Sequence, residues 1–261
     1  MPRFAANLSM LFDEVPFAER FAAAAQAGFH GVECLFPYDH PAGDLAGLLS
    51  EHGLAQVLFN LPPGDWDAGE RGLAALPDRV DEFRNSVDIA LAYARALRCP
   101  TLHVMAGLVP EGADHDAMHR TYVENLRYAA DVVADDGIDL CIEPLNDRDV
   151  PGYFLPRIDL AAEIVAEVER PNVGLQFDVY HVQIMEGDLA TRIARHAPLI
   201  RHVQIAGVPE RHEPDTGEVA YPHLFELFDR LGYAGWIGCE YRPRTTTVDG
   251  LGWLAPYLGN R

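Results

Sequence analysis

Eight times along 261 residues, a short apolar run gives way to a longer stretch of helical spacing, and that rhythm leaves few folds open. The strand-like runs are 4–10, 31–35, 56–60, 102–106, 139–144, 173–178, 202–206 and 236–241. The helical stretches that follow them are 16–27, 44–52, 79–97, 116–135, 157–168, 188–196, 221–231 and 248–257. Within 79–97, Val80, Phe83, Val87, Leu91 and Ala94 return at the interval of one helix face. The strand runs do not alternate polar with apolar. Leu140-Cys141-Ile142 and Trp236-Ile237-Gly238-Cys239 are continuous, as in strands covered by helices on both sides. Eight such units in about 250 residues predict an α/β fold, a single (β/α)8 barrel occupying 1–261 as one domain. A doubly wound open sheet would show a G-x-G-x-x-G turn after an early strand, and none occurs.

In such a barrel the loops leaving the C-terminal strand ends form the catalytic mouth. The three longest loops, 61–78, 145–156 and 207–220, follow the third, fifth and seventh strands and are expected there. Composition narrows what the mouth can do. Acidic residues outnumber basic ones by 40 to 20, and the formal charge is −20. Protonating all 11 His would still leave a net negative chain, which argues against a nucleic-acid partner. All 20 basic residues are Arg and none is Lys, which excludes Schiff-base chemistry, pyridoxal phosphate and a lysine P-loop. Ser9, Ser50 and Ser86 are the only serines, and none sits in a G-x-S-x-G elbow. Cys34, Cys99, Cys141 and Cys239 form no C-x-x-C pair and are expected as free core thiols. The opening Met1-Pro2-Arg3-Phe4 lacks a signal-peptide core, and no apolar stretch reaches membrane-spanning length. A cytoplasmic protein without membrane contact is expected, and its barrel helices suit a monomer or a homo-oligomer.

Four strand runs end in an oxygen-bearing side chain that β propensity would not choose. They are Cys141-Ile142-Glu143-Pro144, Leu175-Gln176-Phe177-Asp178, His202-Val203-Gln204-Ile205 and Gly238-Cys239-Glu240-Tyr241. The steps Glu143→Asp178→Gln204→Glu240 are 35, 26 and 36 residues, about one βα unit each. Consecutive barrel strands would therefore raise Glu, Asp, Gln and Glu at one end of the barrel. Three carboxylates brought together repel one another unless a cation is present, and the chain has no Lys. A divalent metal resolves this, and an all-oxygen shell favours Mg2+ or Mn2+ over Zn2+. The alternative for each residue singly is a hydrogen-bonded carboxyl, paired with Arg or capping the next helix.

Other residues near the expected mouth admit two readings. His181, three residues beyond Asp178, can reach a substrate oxygen or be a buried structural His, and His103 in Leu102-His103-Val104-Met105 has the same ambiguity. Arg211 in Pro209-Glu210-Arg211-His212-Glu213-Pro214 can hold an anionic or polyhydroxyl substrate, or pair at the surface with Glu210 or Glu213. Trp66 in Leu61-Pro62-Pro63-Gly64-Asp65-Trp66 is either a wall over the substrate or ordinary packing.

Further segments include Asn7-Leu8-Ser9-Met10, Leu35-Phe36-Pro37-Tyr38, Pro63-Gly64-Asp65-Trp66-Asp67-Ala68-Gly69-Glu70-Arg71-Gly72, Glu143-Pro144-Leu145-Asn146, Asp178-Val179-Tyr180-His181 and Met185-Glu186-Gly187-Asp188. In this order they resemble the hydroxypyruvate isomerase family, within the xylose-isomerase-like, metal-dependent TIM barrels, over nearly the full length. The resemblance implies Glu143, Asp178, Gln204 and Glu240 as metal ligands. It also implies Glu143 and Glu240 as the acid/base pair, with His181 and Arg211 touching substrate oxygens. Gln204 stands where related ketose epimerases carry a His ligand, which counts against a sugar epimerase. Met1-Pro2-Arg3-Phe4, Val104-Met105-Ala106-Gly107, Gln204-Ile205-Ala206-Gly207 and Phe59 are similar to the 2-oxo-tetronate isomerases. Glu143-Pro144-Leu145-Asn146, Asp149-Val150-Pro151-Gly152 and Tyr180-His181 look like hydroxypyruvate isomerase.

The expected activity is metal-dependent isomerisation of a small-molecule 2-oxo acid through an enediolate. The substrate is either hydroxypyruvate, giving tartronate semialdehyde, or a 2-oxo-tetronate. A ketose 3-epimerase in the same pocket is the first alternative. A metal-dependent phosphodiesterase would need a His-rich zinc site and a basic surface, and a non-catalytic sugar-acid binding protein would show no metal-dependent turnover.

Overall fold

Every strand pairs in parallel with its sequence neighbours, and the eighth returns to the first. The strands are β1 (Arg3–Asn7), β2 (Gly31–Cys34), β3 (Ala55–Asn60), β4 (Thr101–His103), β5 (Asp139–Ile142), β6 (Val173–Asp178), β7 (Ile200–Ile205) and β8 (Trp236–Cys239), closed in that order. This computed structural model describes residues 2–258. Met1 of the opening segment and residues 259–261 lie outside the described residues. The helices are α1 (Phe17–Gln26), α2 (Ala42–His52), α3 (Val80–Leu97), α4 (His115–Val133), α5 (Ile158–Val168), α6 (Val179–Met185), α7 (Leu189–His196), α8 (Tyr221–Arg230), α9 (Thr247–Gly250) and α10 (Ala255–Leu258). The predicted (β/α)8 barrel is therefore the observed architecture.

Helices form where the apolar stripe can face the barrel. In α3 the buried residues are Phe83, Ser86, Val87, Ala90, Leu91, Ala94 and Leu97, whereas Val80 at its start is only half-buried. In α4 the stripe is Met118, Tyr122, Val123, Leu126, Ala129, Ala130 and Val133, and Asp114 caps it by accepting from the Asp116 and Ala117 amides. Each large side chain so buried contributes about 1.5–3 kcal/mol. The four cysteines are free and buried, as expected of core thiols. No helix among the described residues is long and apolar enough to cross a membrane.

Departures from the expected boundaries occur where side chains or glycines intervene. The first strand stops at Asn7 rather than at 10, because the Asn7 side-chain oxygen accepts from the Ser9 amide and its carbonyl from the Leu11 amide. The fourth stops at His103, and Ala106 instead bridges to Gly72 in the loop after β3. The expected helix 248–257 is divided into α9, a 3-10 turn (Leu251–Leu254) and α10, consistent with the glycines at 250 and 252 and the proline at 256. Helix α6 had no counterpart in the sequence pattern. Asp178 starts it, its Oδ1 accepting from the Tyr180 amide at 2.7 Å.

Alternation along β2, β6 and β7 turns Glu33, Gln176, His202 and Gln204 toward one another. They make a buried polar network beneath the mouth. Glu33 accepts from Asn7 Nδ2 at 3.0 Å and Gln204 Nε2 at 2.8 Å, and lies 2.7 Å from His202 Nε2. Gln176 Nε2 donates to Gln204 Oε1 at 2.6 Å. The fully buried Glu33 carboxyl fits because position 238 is glycine: a Cβ there would come within 2.3 Å of its Oε2.

Candidate active site

The C-terminal strand ends open into a cavity of about 500 Å3. Trp66, His103, Glu143, His181, Arg211 and Glu240 line it, so six of the side chains expected at the mouth meet there. Asp178 and Gln204 are buried alongside. Glu143 and Glu240 sit one residue beyond β5 and β8, Asp178 ends β6 and Gln204 is penultimate in β7. The four therefore come from consecutive strands at one end of the barrel, and all are buried.

The carboxyls are held in an unfavourable state for isolated anions. Burial raises Glu143 well above the usual carboxylate range, with Glu240 and Asp178 adding like-charge repulsion and Arg211 opposing it. Burial pushes Asp178 up to about 6, against Arg211 and the backbone amides of Tyr180 and His181. Glu240 rises to about 8 through burial, again opposed by Arg211. Three buried polar atoms find no hydrogen-bond partner among the described residues: Glu143 Oε1, Asp178 Oδ2 and His103 Nε2. Orphaned carboxyl oxygens at one rim are what a divalent cation would satisfy, so the donor set fits such an ion. Glu143, Asp178 and His181 each offer one ligand atom within 4.8 Å of the others.

Hydrogen bonds decide how the two histidines can serve. His181 Nδ1 accepts from the Asn146 amide at 3.0 Å and contacts Asn146 Nδ2 at 2.7 Å. Its proton is therefore on Nε2, which points at Asp178 Oδ2 from 3.6 Å. Burial and Arg211 keep the ring neutral, well below the usual His range. In this tautomer His181 is a donor rather than a metal ligand. His103 is the reverse: Nδ1 faces Asn60 Oδ1 at 3.2 Å, leaving Nε2 as a bare acceptor, and burial pushes the ring down to about 3.

Arg211 does not pair with Glu210 or Glu213. It donates to Glu240 Oε1 at 2.6 Å and lies 3.8 Å from Asp178 Oδ2 and 3.6 Å from Asp149 Oδ2, while Glu213 pairs with Arg244. Its backbone is left-handed at φ 59°, with its amide on the Gly207 carbonyl and its carbonyl accepting from the Arg242 amide. Placing Arg rather than Gly there costs about 1–2 kcal/mol, offset by those two bonds and the ion pair. Trp66 lines the cavity and packs edge-on against Phe36, with ring centroids 4.9 Å apart.

Gln204 is anchored in the buried polar network. Its Oε1 accepts from Gln176 and its Nε2 donates to Glu33 and to Glu240 Oε2. The sequence reading missed Glu33, Asn7, Asn60, Asn146 and Arg71 at this end. Glu33 carried the same signal as the others, an acidic residue in the strand run Gly31-Val32-Glu33-Cys34. Asn60 and Asn146 gave no chemical pattern of their own.

Comparison with known proteins adds three findings. A family model described as a xylose isomerase-like TIM barrel matches residues 21–257. A curated "2-oxo-tetronate isomerase" of Cupriavidus necator is 58% identical over 99% of this chain and 100% of its own length, and a "Hydroxypyruvate isomerase" of Escherichia coli is 47% identical over 98% and 100%. A Brucella melitensis crystal structure described as "AP endonuclease, family 2" superposes with a TM-score of 0.97 at 57% identity, covering 98% of this chain and 99% of that one.

Proposed function

The chain belongs to the xylose isomerase-like TIM barrel family, and within it we propose a metal-dependent isomerase of small 2-oxo acids, hydroxypyruvate or a 2-oxo-tetronate. The observation that carries this is the buried trio Glu143, Asp178 and Glu240, two of them with orphaned oxygens, beside a neutral donor and an arginine in a small cavity. Glu143, Asp178, Gln204 and Glu240 would hold one Mg2+ or Mn2+. When bound, that ion would supply Lewis-acid stabilisation of negative charge developing on the substrate's oxygens.

The chain's own groups do the rest. Glu143 or Glu240 removes the proton from the hydroxyl-bearing C3, the hydroxyl proton passes from O3 to O2, and the resulting enediolate takes a proton at C2, giving tartronate semialdehyde from hydroxypyruvate. Burial raises both carboxyls above the usual carboxylate range, Glu240 to about 8, which suits them to carry protons. His181 Nε2–H donates to a substrate oxygen, and His103 Nε2 accepts from a substrate hydroxyl. Arg211 keeps Glu240 aimed at the cavity and reaches a substrate oxygen. Trp66 walls the mouth against water.

The endonuclease description of the Brucella relative belongs to that protein. Here the potential ligand cluster among the described residues holds a single His and the chain carries −20, which supports the isomerase reading instead. A side-by-side assay of hydroxypyruvate, a 2-oxo-tetronate and a ketohexose tests the substrate class. Turnover of the 2-oxo acids with Mg2+ or Mn2+ is expected; a preference for the neutral ketose would overturn the reading in favour of a 3-epimerase. Glu143→Gln and Glu240→Gln are each expected to lower turnover about 10^2–10^4-fold. Near-wild-type rates in both would remove the acid/base assignment.

A further inference from the structure

A substrate carboxylate entering this cavity needs a cation that the protein has not already neutralised. Arg211 is not available in that sense, because Glu240, Asp178 and Asp149 surround its guanidinium at 2.6–3.8 Å. Three further arginines line the cavity, Arg71, Arg148 and Arg242. Arg148 and Arg242 are exposed, whereas Arg71 is half-buried and held. Its guanidinium carbon lies 3.8 Å from the centroid of the Trp66 ring, and its Nη1 donates to the carbonyls of Glu70 at 2.7 Å and Trp66 at 3.1 Å. Among the described residues it makes no ion pair, since the adjacent Glu70 is taken up by Arg79 at 2.7 Å.

The loop beneath Arg71 is rigidly built. Gly72 stands at φ +115°, where a Cβ would come within 2.4 Å of the Met105 carbonyl, and its amide bonds the Pro63 carbonyl at 2.9 Å. The guanidinium lies over the Trp66 ring, and the two carbonyls occupy one nitrogen. The remaining N–H groups form a planar edge of the kind that binds a carboxylate in two parallel hydrogen bonds.

We propose that Arg71, stacked on Trp66, holds the substrate carboxylate and is the residue that selects 2-oxo acids over neutral ketoses. The assignment rests on the 2-oxo-acid reading above. Lost charge-assisted hydrogen bonds of this type change affinity about 10–100-fold.

The test compares wild type, Arg71→Met and Arg71→Lys on hydroxypyruvate and on dihydroxyacetone, which replaces the carboxylate by a hydroxymethyl group. Inhibition by pyruvate gives an affinity readout independent of turnover. Arg71→Met is expected to raise the KM for hydroxypyruvate and the inhibition constant of pyruvate about 10–100-fold. Its kcat should stay within a few fold, and turnover or inhibition by dihydroxyacetone should be unchanged. Arg71→Lys, which keeps the charge without the fork or the stack, is expected to fall between. Unchanged constants for both acids in Arg71→Met, or equal losses for the acid and the neutral compound in both variants, would overturn the assignment. A wild-type protein that turns over no 2-oxo acid would instead sink the underlying reading, and this proposal with it.

Discussion

Asp178 meets two demands that compete in the sequence. Its Oδ1 caps α6 by accepting from the Tyr180 amide, while its Oδ2 faces the cluster without a partner. Asp178→Asn keeps the capping oxygen and removes a charge that burial disfavours. The metal-free variant is expected to melt at or above the wild-type temperature, and calorimetric titration is expected to show Mn2+ affinity lowered at least about 10-fold. Wild-type affinity would exclude Asp178 as a ligand. Glu33 is different in kind, since three N–H groups, from Asn7, Gln204 and His202, converge on its carboxyl. Glu33→Gln sets an amide donor against one of them, costing about 1–3 kcal/mol, and chemical denaturation reads that loss directly. The strand-end rule found Glu143, Asp178, Gln204 and Glu240 because each ends an apolar run. Glu33 obeys the same rule one layer lower. Recognising it required the match with Gly238, and that match exists only once β1 has brought β2 and β8 together.

Strands and long helices were legible because their apolar stripes must be buried for the barrel to close. β6 appears where the run 173–178 put it, and α2, α3, α5 and α8 fall within about two residues of expectation. Less legible were elements fixed by single contacts. Helix α6 exists because Asp178 caps it, and the loop after β3 is held from α4. There Asn125 Nδ2 donates to the Ala74 carbonyl at 2.9 Å, and the buried Tyr122 hydroxyl bonds the Val104 carbonyl. Asn125→Ala leaves that carbonyl unsatisfied and is expected to cost about 1–3 kcal/mol. It should also loosen the loop that carries Trp66 and Arg71, so protection of the Gly72 and Ala75 amides in hydrogen exchange should fall more than that of the strand amides. Equal protection in both proteins would show that the loop is held from elsewhere.

Across the whole molecule, the carboxyl trio ties stability to pH and to cations. Burial raises Asp178 from 3.8 to about 6 and Glu240 from 4.5 to about 8, so the folded metal-free chain binds protons that the unfolded chain has released. Stability from these groups is complete below the unfolded values and is lost as pH rises through 6 and then 8. Glu70, held low by its hydrogen bond from Arg79, acts oppositely on acidification below its ordinary value of 4.5, and His103 and His181, kept neutral by burial, act oppositely as pH falls through 6.5. Above the range of these histidines, metal-stripped protein is therefore expected to melt at lower temperature at pH 8 than near pH 7, and added Mn2+ should raise melting more at pH 8, where fewer protons must be displaced. A melting temperature that climbs steadily from pH 7 to 8 without metal would contradict this electrostatic picture. The most direct test of the central claim follows hydroxypyruvate by NMR in D2O with metal-stripped protein, then with Mg2+ or Mn2+ restored. Negligible conversion is expected without the ion and, with it, tartronate semialdehyde formed with deuterium at C2. Full conversion by the stripped protein, or none of any 2-oxo acid with either ion, would contradict it.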